Sequence, residues 1–152
     1  MEQPNSVPTS QPPLAQQPLS LADERQWAML AHLSILLNLV SGFLGLVAAL
    51  VIYLVYKERS RYVAFQSFQA FLLQLIGWVG CGALAGAAWA ITGVLSAVII
   101  GFCLVPFAIL ISLLPLGALV YGVVGGVQTS QGRDFRYWLI GDWAARTYTG
   151  GQ

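Results

Sequence analysis

Between Arg61 and Arg133 the chain carries no Asp, Glu, Lys or Arg. That gap, roughly 70 residues, limits the fold more than any motif does, because a membrane-spanning helix needs about 20 consecutive apolar residues. The gap holds two such spans, and a third can be carved from it. Soluble domains carry about 25% charged residues, whereas this chain has 9% charged and 57% hydrophobic residues. Backbone groups in a bilayer find no water to bond, so a single apolar stretch satisfies them as a helix. The fold class that follows is an all-α integral membrane protein.

Composition divides the rest of the chain. Residues 1–19, MEQPNSVPTSQPPLAQQPL, form a Pro/Gln-rich tail too poor in apolar surface to order itself. It also lacks the basic and apolar regions of a signal peptide. Ser20, followed three residues later by Asp23, resembles a capping box, and Glu24 adds negative charge at the helix start. Trp27 beside Arg25 suits a membrane–water interface. From Met29 to Tyr56 two readings stay open: one tilted span, or a hairpin of two short helices, about 22–39 and 44–57, broken at Ser41-Gly42.

The hairpin reading puts Arg25, Lys57, Arg59, Arg61, Arg133, Arg136 and Arg146 on one side. The positive-inside rule assigns that side, with both termini, to the cytoplasm. The single-span reading places the N-terminus outside. Helices of about 15 residues rise only ~22 Å against a ~30 Å core, so the first pair is expected to lie partly in the interface or to thin the bilayer. Residues 62–131 read as two long helices, about 62–91 and 95–128, parted near Thr92-Gly93 and kinked at Pro106 and Pro115. A third span cut from that stretch would carry the C-terminus to the other side. Residues 20–131 are thus expected to form a four-helix transmembrane bundle, with a short N-terminal hairpin and two long helices. Residues 132–152 read as an amphipathic interfacial segment, with Phe135, Trp138, Leu139 and Trp143 near one helical face.

The motifs exclude several chemistries. No carboxylate pair lies within the spans, the only histidine is His32, and HExxH is absent. A serine–histidine pair drawn from Ser34, Ser67 or Ser96 with His32 lacks any nucleophile motif around it. No glycine loop with a lysine cradles a phosphate. Cys81 and Cys103 are not spaced as metal ligands and read as reduced packing residues. No catalytic residue, metal ligand or cofactor is expected, and no basic run interleaved with aromatics points to nucleic acid.

The polar residues inside the apolar run are the informative ones. Gln66, Gln69 and Gln74 fall on roughly one helical face. Lipid leaves amides unsatisfied, so this face must meet another helix, water or a partner. With His32 it forms the candidate polar face. Its expected use is internal bonding to Asn38, Ser41 or His32, or a groove for a client segment. His32 itself reads as a neutral imidazole bonded to a facing helix, or as a pH-sensitive or gating group. Lys57, Arg59 and Arg61 are candidates for contact with anionic headgroups or acidic client segments. Gly82 and Gly86, like Gly122 and Gly126, form GxxxG pairs that let helices pack closely, within the protein or between copies.

DERQWAMLAHLS, the short apolar pair after it, KERSRYVAFQSFQAFLLQL and the closing FRYWLIGDW resemble a family of small bacterial four-helix membrane proteins of unknown function. That family is similar to the chloroplast inner-envelope component of the Tic protein-import translocon. The likeness covers about residues 21–145 and is most specific in WAMLAHLS and RYVAFQSFQAFLLQL. The family shows aromatic or charged residues followed by RFxxxQAxLL; Arg61 matches the first part, and Phe65, Gln69, Ala70, Leu72 and Leu73 match the second. Ala64 stands where an Arg is expected, and Trp138 where a Pro is usual. The resemblance implies four helices with both ends on the stromal or cytoplasmic side. The leading functional expectation is a non-catalytic protein of a bacterial plasma (inner) membrane that assists translocation, insertion or assembly of other polypeptides. The alternatives are a small oligomeric channel or carrier, and a purely structural membrane protein. The expected partners are the lipid bilayer, other membrane proteins or translocating polypeptides, and a second copy of the chain.

Overall fold

The computed structural model describes residues 19–149 of the chain; the remainder of the Pro/Gln-rich tail, residues 1–18, and residues 150–152 lie outside the described residues. Five helices follow one another, and the described residues contain no strand. Helix α1 (Leu21–Leu33) is prolonged by a 3-10 turn (Ser34–Leu37) and one α turn (Asn38–Ser41). Ser20 caps it, accepting the Asp23 N–H at 3.1 Å and donating to the Asp23 carboxylate at 2.7 Å. The chain reverses at Gly42, whose φ of 81° only glycine adopts freely. Helix α2 (Leu44–Tyr56) then runs back along α1.

Helix α3 (Arg61–Ser96) and helix α4 (Ile100–Ser130) are both long and apolar enough to cross a membrane. At 36 and 31 residues they extend about 54 and 46 Å, well beyond a ~30 Å hydrocarbon core. The expected break at Thr92-Gly93 lies instead at 97–99: Gly93 stays helical, and Ile99 takes a left-handed φ of 66°. Helix α4 continues through Pro106 and Pro115. Within α3, residues Gln74–Gly80 widen into a π-helical stretch. Their wider spacing lets Gln74 reach Ser34 and Asn38 while the Trp78 indole donates to the Gly42 carbonyl at 2.8 Å. Both ends of that stretch therefore grip the turn of the α1–α2 hairpin.

Packing gathers the charges at one end. Ser60 caps α3 by accepting the Val63 N–H at 3.1 Å, and its hydroxyl donates to Glu24 of α1 at 2.6 Å. The Tyr62 hydroxyl donates to the Arg133 carbonyl at 3.2 Å, and Gly132 lies against the Arg25 guanidinium. So the start of α1, the 57–60 loop, the start of α3 and the end of α4 meet. Trp27 stacks near Tyr56 with centroids 5.0 Å apart, and Arg59 lies over the same Tyr56 ring. Ser60→Ala removes the cap and the tie to Glu24. It is expected to cost about 1–2 kcal/mol, read as a lower thermal midpoint in detergent. Ser130→Ala removes one exposed hydroxyl bond to the Val127 carbonyl and is expected to be near neutral.

Candidate functional site

Beyond α4 the structure departs from the expected helical face. Residues 133–137 are not helical, and helix α5 starts only at Gly141 (Gly141–Thr149). Phe135 and Tyr137 turn into the bundle, whereas Trp138, Leu139 and Trp143 stay exposed. The alternation in Phe135-Arg136-Tyr137 has the period of an extended chain, two, and not that of a helix. That period was the available signal for this segment.

The segment descends along α3 step by step. Tyr62 meets Arg133, Gln66 and Gln69 meet Phe135, Gln69 meets Tyr137, and Leu73 and Gly77 line one cavity with Leu139 and Ile140. Residues 138–140 then form a turn that leads into α5, with the Gly141 N–H donating to the Tyr137 carbonyl at 2.7 Å. Non-helical backbone over residues 133–137 thus lies against the first turns of α3. Irregular backbone at membrane depth is tolerated only where protein satisfies it, and the glutamines do so. The Phe135 carbonyl accepts from Gln66 Nε2 at 3.1 Å and from Gln69 Nε2 at 3.1 Å. Gln69 Oε1 in turn accepts the Tyr137 N–H at 3.2 Å.

His32 closes this network. Its Nε2 lies 3.0 Å from Gln66 Oε1 and its Nδ1 2.8 Å from the Tyr137 hydroxyl. Gln66 Nε2 points at the Phe135 carbonyl and the Asp134 carboxylate, both acceptors, so the orientation of its amide is settled. Gln66 Oε1 can then only accept, which puts the imidazole proton on Nε2 and leaves Nδ1 to accept from Tyr137. The Tyr137 hydroxyl, buried beside the ring, is the donor of that bond. Gly125 makes room for the pair: a Cβ there would stand 2.8 Å from Tyr137 Oη and 3.1 Å from His32 Nδ1.

A second ring of bonds lies deeper. The Gly45 N–H donates to Asn38 Oδ1 at 2.8 Å, and Asn38 Nδ2 donates to Gln74 Oε1 at 3.0 Å. Gln74 Nε2 donates to Ser34 Oγ at 3.0 Å, and Ser34 shares its proton between the carbonyls of Ala31 and Gly45. The ring ties α1, α2 and α3 together. Asn38 and His32 are therefore partners of the amides, but Ser41 is not: its hydroxyl bonds the Leu37 carbonyl and the Leu44 N–H across the hairpin turn. His32, Gln66, Gln69 and Gln74 are all buried, with their side chains bonded inside the bundle. Ser34, Tyr137 and the Phe135 carbonyl complete the site; the period-two alternation is the signal for Phe135 and Tyr137, and no spacing reveals Ser34.

The two GxxxG pairs part company. Gly122 and Gly126 of α4 pack on Ile35 and Leu33 of α1, where added Cβ atoms would lie 3.0 Å and 2.9 Å from the nearest side-chain atoms. Gly82 and Gly86 of α3 have nothing within 4 Å of an added Cβ. Their expected packing inside the protein is absent, because they face outward from the bundle. Lys57, Arg59 and Arg61 are exposed at the charged end, with Lys57 3.9 Å from Glu58. No group of three or more His, Cys, Asp or Glu among the described residues is placed to hold a metal ion.

Residues 23–144 match the model of the MamF/MmsF family, the magnetosome magnetite crystal formation protein family. No curated protein and no solved structure matches the chain. The match supports a bacterial membrane family and does not support the likeness to the Tic component. With most of the chain covered and two helices long and apolar enough to span a bilayer, the protein is a membrane protein that belongs to the magnetosome magnetite crystal formation protein family.

Proposed function

We propose that this protein is a non-catalytic membrane scaffold that serves magnetite crystal formation by organising its membrane and neighbouring proteins, without a chemical step of its own. The observation that carries this reading is the fate of the intramembrane polar groups. His32, Gln66, Gln69 and Gln74 are buried and direct their hydrogen bonds to partners inside the bundle, away from any outside substrate. The charges, by contrast, gather at one end. Arg25, Lys57, Arg59, Arg61, Arg133 and Arg136 favour placing that end in the cytoplasm. Magnetite is an iron oxide, and carboxylates and histidines are the side chains that ligate iron. The opposite end of the bundle, the 97–99 turn between α3 and α4, offers Ala97, Val98 and Ile99. A role through assembly fits that surface better than a role as an iron ligand.

Deletion of the gene in the source cell, followed by complementation, tests this. Wild-type protein is expected to restore crystal size and number. Glu58→Lys reverses the charge of a carboxylate 85% exposed at the side chain and is expected to complement poorly while folding normally. Full crystals in the deletion strain would end the reading. Assistance to protein insertion or translocation is the second reading, and it needs the amide face free. Photo-crosslinking from position 69 in growing cells separates the two: crosslinks to residues 133–140 of the same chain fit the scaffold, and crosslinks to exported proteins fit a client groove.

A further inference from the structure

A half-open cavity of about 220 Å³ lies between the π-helical stretch of α3, the middle of α4 and the Tyr137–Ile140 segment. Leu73, Ile76, Gly77, Gly117 and Ile140 form its walls. The polar atoms nearby are already used: the Tyr121 hydroxyl accepts the Trp138 N–H at 3.0 Å, and the Tyr137 hydroxyl bonds His32. A smaller apolar cavity of ~150 Å³ stays dry in water and takes up benzene. In a bilayer the available filler is hydrocarbon. Gly117 keeps the space open, since an added Cβ there meets nothing within 4 Å.

A cation marks where the filler begins. Arg136 precedes the lining residue Tyr137, stands over the Phe65 ring at 5.6 Å, and has an ion-pair contact with Asp134 at 3.7 Å. Its side chain is 54% exposed, and one long contact leaves most guanidinium donors for a further anion. From Phe65 to Gly77 α3 rises about 18 Å. That is close to one leaflet of a ~30 Å hydrocarbon core. A cation at the edge of an apolar cavity whose lining reaches about one leaflet's depth matches an anionic headgroup with a single chain beneath it.

We propose that this cavity binds one acyl chain of an anionic phospholipid from the surrounding bilayer, with Arg136 holding the headgroup. Native mass spectrometry of the full chain, with phosphatidylglycerol or phosphatidylcholine of identical chains, tests it. Wild type is expected to keep one phosphatidylglycerol about fivefold more than phosphatidylcholine, the preference that one surface cation supplies. Gly117→Leu fills the cavity and is expected to lose the adduct. Arg136→Gln is expected to keep an adduct without the preference. Equal retention of the two lipids by wild type, or undiminished retention by Gly117→Leu, would overturn the proposal. A second measurement needs no variant. Phosphatidylglycerol with a photoreactive acyl chain is expected to label Leu73–Cys81 and Tyr137–Ile140. Labelling spread over outward residues such as Leu84 and Phe107, without enrichment there, overturns the site.

Discussion

Replacing Gln66 and Gln69 together by Leu is expected to unseat residues 133–140 and to destabilise the bundle by about 3–6 kcal/mol. The double variant leaves the Phe135 carbonyl, the Tyr137 N–H and the His32 Nε2–H without their partners. Each buried polar group left unsatisfied costs about 1–3 kcal/mol. Two readouts check this. The thermal midpoint in detergent should fall well below that of Gln131→Leu, which changes an exposed glutamine. Trypsin should also cut after Arg133 and Arg136 much faster, because the docked segment shields their peptide bonds. An unchanged midpoint with unchanged cleavage would mean that the segment is held by its aromatic side chains alone. The expected effect exceeds the ~0.6 kcal/mol average of interhelical polar bonds in membranes. Glutamines packing one helix on another would tolerate Leu; these two bond a backbone that has no helix of its own to satisfy it.

The second large effect is expected at Gly45. An added Cβ there collides with the Ser34 carbonyl and lies 2.8 Å from both Asn38 Oδ1 and Gln74 Oε1. The obstacle is backbone on one side and a bonded ring on the other, so neither yields cheaply. Gly45→Ala should therefore open the α1–α2 hairpin and cost about 3 kcal/mol. Gly82→Ala and Gly86→Ala, with open space around them, should be neutral or gain about 0.5–1 kcal/mol from helix propensity. Thermal unfolding of the three variants in one detergent checks the contrast. A large loss at Gly82 or Gly86 would show that these positions are covered, which in the purified protein points to a second copy of the chain.

The features legible along the chain were the ones set by local patterns. The charge-free stretch after Arg61 is long enough for two spanning helices whatever their neighbours do, since the bilayer alone demands helix there. Ser20 and Ser60 are good caps for reasons found within three residues. Gly42 allows a reversal because it lacks a Cβ. Composition likewise marked Gln66, Gln69 and Gln74 as groups that lipid leaves unsatisfied. Their partners were another matter. Gln69 bonds Tyr137 across 68 positions and Gln74 bonds Asn38 across 36, and no periodicity spans such distances. The same holds for the glycines. GxxxG spacing is identical at Gly82–Gly86 and Gly122–Gly126, yet only the second pair faces α1, because the facing helix, and not the spacing, decides what a missing Cβ is for. The aromatic tail shows the limit most clearly. Phe135, Trp138, Leu139 and Trp143 satisfy a helical face on paper. The bundle, however, offers Phe135 and Tyr137 a buried slot lined by amides that need partners. Burying two aromatic rings while pairing three polar groups outweighs a local preference worth a few tenths of a kcal/mol per residue. The demand for helix in the charge-free stretch is a local property; the inward turn of Phe135 and Tyr137 was decided only once α1, α3 and α4 had packed side by side.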